Sequence, residues 1–131
     1  MTTKADPTGN QKKRLILIAE DEISNYMLLE TLLEPYPYKI IHVTNGKAAL
    51  DECLDKPDIE LVLMDIKMPV MNGLEATRLI KKVRPDLPVI AITAHALEGD
   101  RERVLDAGCD EYITKPIRRE ELLQKVSDLL P

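Results

Sequence analysis

Five short apolar runs, each followed by a stretch of helical spacing, leave this chain few ways to fold. The runs cover residues 15–19, 40–43, 61–64, 89–92 and, more briefly, 112–113. They are continuous rather than alternating. A strand with one wet face alternates apolar and polar residues, whereas a strand covered on both faces reads as an unbroken apolar run. The stretches between them predict helices over residues 23–34, 46–54, 73–83, 97–107 and 118–130. The last places Leu122, Leu123, Val126, Leu129 and Leu130 on one face and carries Glu120 and Glu121 in its first turn, where the helix dipole favours acids. The segment 97–107 has Gly99 inside it and few apolar positions, and is expected to be the least stable helix.

Turn residues mark the same boundaries. Pro35 and Pro37 end the first helix, and Asn45-Gly46, Pro57-Asp58, Asn72-Gly73, Pro85-Asp86 and Ala107-Gly108 punctuate the rest. Five strand–helix units in alternation give a doubly wound α/β sandwich around a parallel sheet. A chain of 131 residues fits one domain. We read 14–131 as that domain and 1–13 as a flexible N-terminal tail or linker, because residues 1–10 are polar, carry Pro and Gly, and lack the apolar centre of a signal peptide. With no Trp and no Phe, the core must be aliphatic.

Composition excludes several functions. The net charge is −5 with both signs dispersed, so no basic face for nucleic acid is expected. The run Lys12-Lys13-Arg14 reads as a solvated lead-in to the first strand. No apolar run approaches the roughly 18 residues a membrane span needs. Cys53 and Cys109 form neither a C-x-x-C motif nor a metal spacing. They are placed in separate helix-like segments, as free thiols in a reducing compartment.

In open α/β sheets the ligand sits at the carboxyl ends of the strands. The residues just past each run are Glu20 and Asp21 after the first, Asp65 after the third, Thr93 after the fourth and Lys115 after the fifth. Three carboxylates at one rim repel one another, and each makes the others costlier to ionise. A hard divalent cation such as Mg²⁺ would offset that charge. Lys115 adds a second positive group and Thr93 a hydroxyl donor. Such a set can stabilise a phosphoryl group on a carboxylate.

At these positions the sequence resembles the receiver domain of two-component response regulators, over roughly residues 14–130. The resemblance is carried by Ala19-Glu20-Asp21-Glu22, by Met64-Asp65-Ile66-Lys67-Met68-Pro69-Val70-Met71-Asn72-Gly73, by Ile92-Thr93-Ala94-His95-Ala96 and by Asp110-Glu111-Tyr112-Ile113-Thr114-Lys115-Pro116. Each motif alone is weak, since an acid after a strand is usually a turn residue and a lysine usually a surface one. Four in order, each at a strand end, are specific. The resemblance implies a flavodoxin-like (βα)5 fold with strand order 2-1-3-4-5. It also implies Asp65 as phospho-acceptor, with Glu20, Asp21, Asp65 and the Lys67 backbone carbonyl around Mg²⁺. Thr93 and Tyr112 would be the switch pair, Lys115 the phosphate-pairing base, and Lys115-Pro116 a cis peptide.

Lys67 and His95 occupy the variable rim positions two residues after Asp65 and Thr93. They are expected to lean over the phosphoryl group and hinder water, giving a long-lived acyl phosphate. Glu20 in place of Asp lengthens one arm of the acidic pair. His42, within a strand, receives no role, and His95 is not expected to be a phosphodonor.

The implied partner is a histidine kinase or histidine phosphotransfer domain docking near Ile23, Asn25 and Tyr26 and the loop after Pro116. The state-sensing face would be the fourth helix, fifth strand and fifth helix, with Arg101, Arg103, Tyr112, Arg118 and Arg119, where self-association is also possible. Direct contact with nucleic acid or membrane is not expected. The chain is expected to act in the cytoplasm, either as a stand-alone receiver or, the reading favoured here, as the receiver of a larger hybrid histidine kinase that could itself be membrane-bound. A haloacid dehalogenase-like hydrolase would need an acid where Lys67 stands. A flavin-binding relative would need a hydroxyl-rich loop where Glu20-Asp21-Glu22 stands. A pseudo-receiver, binding partners without phosphorylation, is the remaining alternative.

Overall fold

The computed structural model describes residues 13–94 and 100–131. Its elements are β1 (Arg14–Ala19), α1 (Ile23–Leu33), β2 (Tyr38–Val43), α2 (Gly46–Asp55), β3 (Ile59–Asp65), α3 (Gly73–Val83), β4 (Val89–Thr93), α4 (Asp100–Asp106), β5 (Glu111–Thr114) and α5 (Arg119–Leu129). The five strands form one parallel sheet in the order β2-β1-β3-β4-β5. That is the doubly wound arrangement expected from the sequence, with helices on both faces.

The period of two along each strand divides the apolar residues between two cores. Leu15, Leu17 and Ala19 of β1 join Val62, Met64, Val89 and Ala91 under α2, α3 and α4. Ile16 and Ile18 join Leu61, Leu63, Ile90, Ile92 and Ile113 against Leu29 and Leu33 of α1 and Leu122 and Val126 of α5. Apart from Leu15, at 7%, every one of these side chains is at most 1% exposed, so each buried Leu or Ile contributes about 1.5–3 kcal/mol of transfer free energy. Continuous apolar runs were needed because each face of the sheet has its own core.

All five strands extend beyond their apolar runs, β2, β3 and β5 by two residues or more. β3 begins two residues before Leu61 because its pairing with β1 slips at Leu15/Ile16, from Leu15↔Ile59 to Ile16↔Leu61. Glu60 is the extra residue of this bulge, and its Oε1 accepts from Arg14 Nε at 2.7 Å. The slip explains why Ile59 and Leu61, two apart, belong to different cores. β2 starts at Tyr38, and β5 runs from Glu111 to Thr114. Cys109 departs from the sequence reading. Cys53 lies in α2, but Cys109 is in the connection between α4 and β5, where Gly108 takes a φ of 108° and ends the helix. Both are buried free thiols. Residues 1–12 of the expected tail, and 97–99 of the segment predicted helical over 97–107, lie outside the described residues.

Candidate functional site

β1 and β3 end side by side, with Ala19 opposite Met64, so the acids that follow are brought together. Ligand oxygens of Glu20, Asp21 and Asp65 lie within 4.8 Å of one another. Lys115, after β5, places Nζ 3.5 Å from Asp65 Oδ2 and 3.6 Å from Glu20 Oε1. Asp21, Asp65, Lys67, Thr93 and Lys115 line one cleft of about 240 Å³ together with Glu22, Ile66 and Ala94. The Lys115–Pro116 peptide is cis.

Two glycines let the surrounding loops close up. A Cβ on Gly73 would strike the Asp65 carbonyl oxygen, and one on Gly46 the Met71 carbonyl oxygen. Each glycine N–H bonds into the loop after β3, Gly46 to Met71 O at 2.9 Å and Gly73 to Ile66 O at 2.8 Å. Asn45 and Asn72 cap the helices that start there, accepting from Ala48 N and Glu75 N, as N-cap residues do. Between these anchors Val70 takes a φ of 69°, a left-handed conformation that costs a β-branched residue roughly 1–2 kcal/mol.

Electrostatically, Glu20 is the most perturbed group of the site. Its side chain is wholly buried. Burial, opposed by the Glu22 N–H and reinforced by Asp65, pushes its pKa up to about 7 from 4.5. Oε2 accepts from Glu22 N at 3.1 Å, whereas Oε1 has no hydrogen-bond donor among the described residues. An orphaned buried carboxylate oxygen beside two more acids is the environment that a hard cation satisfies. The donor set therefore fits Mg²⁺.

Thr93, at the end of β4, is 5% exposed, and its carbonyl accepts from Lys115 N at 2.8 Å. Tyr112 is outside the cleft, one strand over and opposite Ala91. Its half-buried ring packs against the α2–α3–α4 core, with Lys125 Nζ 5.6 Å from its centroid and bonded to its carbonyl at 2.7 Å. His95 lies outside the described residues. One residue missed by the sequence reading is His42. Its Nε2 is 2.8 Å from the Glu20 carbonyl oxygen, and its ring stacks on Tyr26 with centroids 3.6 Å apart. No sequence signal links residues on separate elements in this way.

The sheet order, the acidic cluster at its carboxyl edge and the lysine on a neighbouring loop define a flavodoxin-like α/β domain with a cation-suited acidic site. The chain belongs to the response regulator receiver domain family of two-component systems, whose family model matches residues 16–127. It is 40% identical over 119 residues to the polar-differentiation response regulator DivK of Brucella anthropi, covering 88% of this chain and 94% of that protein. It is also 40% identical over 120 residues to hybrid signal transduction histidine kinase I of Dictyostelium discoideum, and there it spans 86% of itself but only 7% of the relative's length. Among solved structures, the receiver domain of a sensor histidine kinase from Pseudomonas aeruginosa, with a magnesium ion in its active-site cleft, superposes with a TM-score of 0.82 at 34% identity. That match covers 90% of this chain and 98% of the other. Among the described residues, no helix is long and apolar enough to cross a membrane.

Proposed function

We propose that Asp65 accepts a phosphoryl group from a phosphohistidine. The observation that carries this reading is the convergence of three carboxylates within 4.8 Å and of Lys115 3.5 Å from Asp65 at the carboxyl edge of the sheet. An Asp65 oxygen attacks phosphorus, the N–P bond breaks, and its electron pair returns to the donor imidazole. Glu20, Asp21, Asp65 and the Lys67 carbonyl would hold Mg²⁺, which supplies positive charge against the phosphoryl oxygens when bound. Lys115 pairs with those oxygens, and the Thr93 hydroxyl donates to one of them. Movement of Thr93 toward the phosphoryl group frees space for the Tyr112 ring, altering the face formed by α4, β5 and α5.

The donor is a histidine kinase or histidine phosphotransfer domain. It docks at the start of α1, where Ile23 is 63% and Met27 55% exposed although both are apolar. Replacing Ile23 or Asn25 should change phosphotransfer rate or partner choice. The altered face is also the candidate surface for self-association.

The direct test is incubation with Mg²⁺ and a small phosphodonor, with Asp65→Asn as control. Hydroxylamine-labile phosphate in the unmodified chain and none in the control is expected. No incorporation in either would make the chain a pseudo-receiver that binds partners without phosphorylation.

A further inference from the structure

The loop that carries Asp21 is bridged by a closed circuit of contacts. The Glu20 carboxylate accepts from Glu22 N at 3.1 Å. The Glu22 carbonyl accepts from Tyr26 N at 3.0 Å, in the first turn of α1. The Tyr26 ring lies flat on the His42 ring, with centroids 3.6 Å apart and an angle of 4° between planes. His42 Nε2 returns to the Glu20 carbonyl oxygen at 2.8 Å. A carbonyl can only accept, so Nε2 carries the proton of that bond.

The fourth contact replaces one that the sheet does not supply. Glu20 N extends the β1–β2 ladder by bonding Val43 O at 3.0 Å. In a parallel ladder the Glu20 carbonyl would next receive the N–H of Asn45. The chain has by then left β2, and Asn45 caps α2 instead. The His42 imidazole supplies the donor.

We infer that His42, braced by Tyr26, is a positioning residue that presets the Glu20–Glu22 loop for a divalent cation. Asp21 is the exposed member of the acidic triad, and the circuit fixes the residues on both sides of it. The inference rests on the reading of the acidic cluster as a cation site. A metal ligand held by an outer hydrogen bond typically loses 10–100-fold in affinity when that partner is removed.

The test is Mg²⁺ titration of the full chain by calorimetry at one pH, with thermal unfolding measured in parallel. His42→Phe keeps a ring for Tyr26 but has no donor, and should raise the Mg²⁺ dissociation constant about tenfold, near the lower end of that range. His42→Gln keeps an N–H donor and should restore most of the affinity. A His42→Phe dissociation constant within about twofold of the unmodified value would overturn the proposal. So would equal weakening in both variants that tracks a lowered unfolding temperature, because His42 would then only pack. If the unmodified chain binds no Mg²⁺, the cation site itself fails and the inference falls with it. If it binds and His42→Phe is silent, only the inference falls.

Discussion

Glu20 makes a pH experiment unusually direct. Its carboxyl is buried at the end of β1, and desolvation raises its pKa from 4.5 to about 7. An acid raised by folding binds its proton more tightly in the native than in the unfolded chain. Its favourable contribution is therefore complete below pH 4.5 and is lost as the pH climbs to about 7. At about 1.4 kcal/mol per pH unit, the loss across that window is of order 3 kcal/mol. Glu20→Gln removes the titrating group while keeping a side chain of nearly the same volume. Urea unfolding of both proteins with a chelator present, at intervals across the window, isolates the effect. The unmodified chain should lose stability relative to Glu20→Gln as the pH rises, and the difference should level off above about pH 7. Parallel stability curves for the two proteins would refute the reasoning. Added Mg²⁺ should narrow the difference, because a cation favours the ionised carboxylate.

Other outcomes follow from single contacts. Lys67 lines the cleft beside Asp65, so Lys67→Asn should speed decay of the phosphorylated protein, measured as loss of acid-quenched label; an unchanged half-life would remove its shielding role. Arg84 donates to the carbonyls of Cys53, Lys56, Pro57 and Ile59, tying the end of α2 to the start of β3. Arg84→Ala should cost about 2–3 kcal/mol in denaturant unfolding, and Arg84→Lys should not rescue it, because an ammonium lacks the planar fork. Burial pushes the thiols of Cys53 and Cys109 up to about 11, so a thiol reagent at neutral pH should label neither until the chain unfolds.

The positions of the strands were legible because each face of the sheet demands its own apolar residues. Where a charge enters β3, the apolar run is shorter than the strand. Glu60 interrupts the apolar pattern, yet it belongs to β3 as the bulged residue, paired with Arg14 on the neighbouring strand β1. Pattern alone cannot distinguish a strand end from a bulge whose charge has found a partner 46 residues away. The acidic cluster was legible for a different reason: topology places the ends of β1, β3, β4 and β5 at one rim, so residues after the runs converge whatever their local preference. The contact between His42 and Tyr26 had no such guide. It depends on the depth at which α1 crosses the edge strand, and that depth is set by packing, not by spacing.

Glu20 in place of the shorter acid now has a physical meaning. The longer arm carries its carboxylate wholly inside the domain, where Lys115 approaches Glu20 and Asp65 at 3.6 and 3.5 Å, beyond the usual 2.7–2.9 Å of a charge-assisted hydrogen bond. One ammonium shared at that range cannot neutralise three acids. Below about pH 7 a proton on Glu20 relieves the remaining repulsion, and a divalent cation would have to displace it. Proton and cation are then competitors for one buried oxygen pair. Apparent Mg²⁺ affinity should accordingly fall as the pH drops below about 7, and in Glu20→Gln it should be weaker but flatter over that range. A full-strength pH dependence in Glu20→Gln would refute the competition between proton and cation at Glu20.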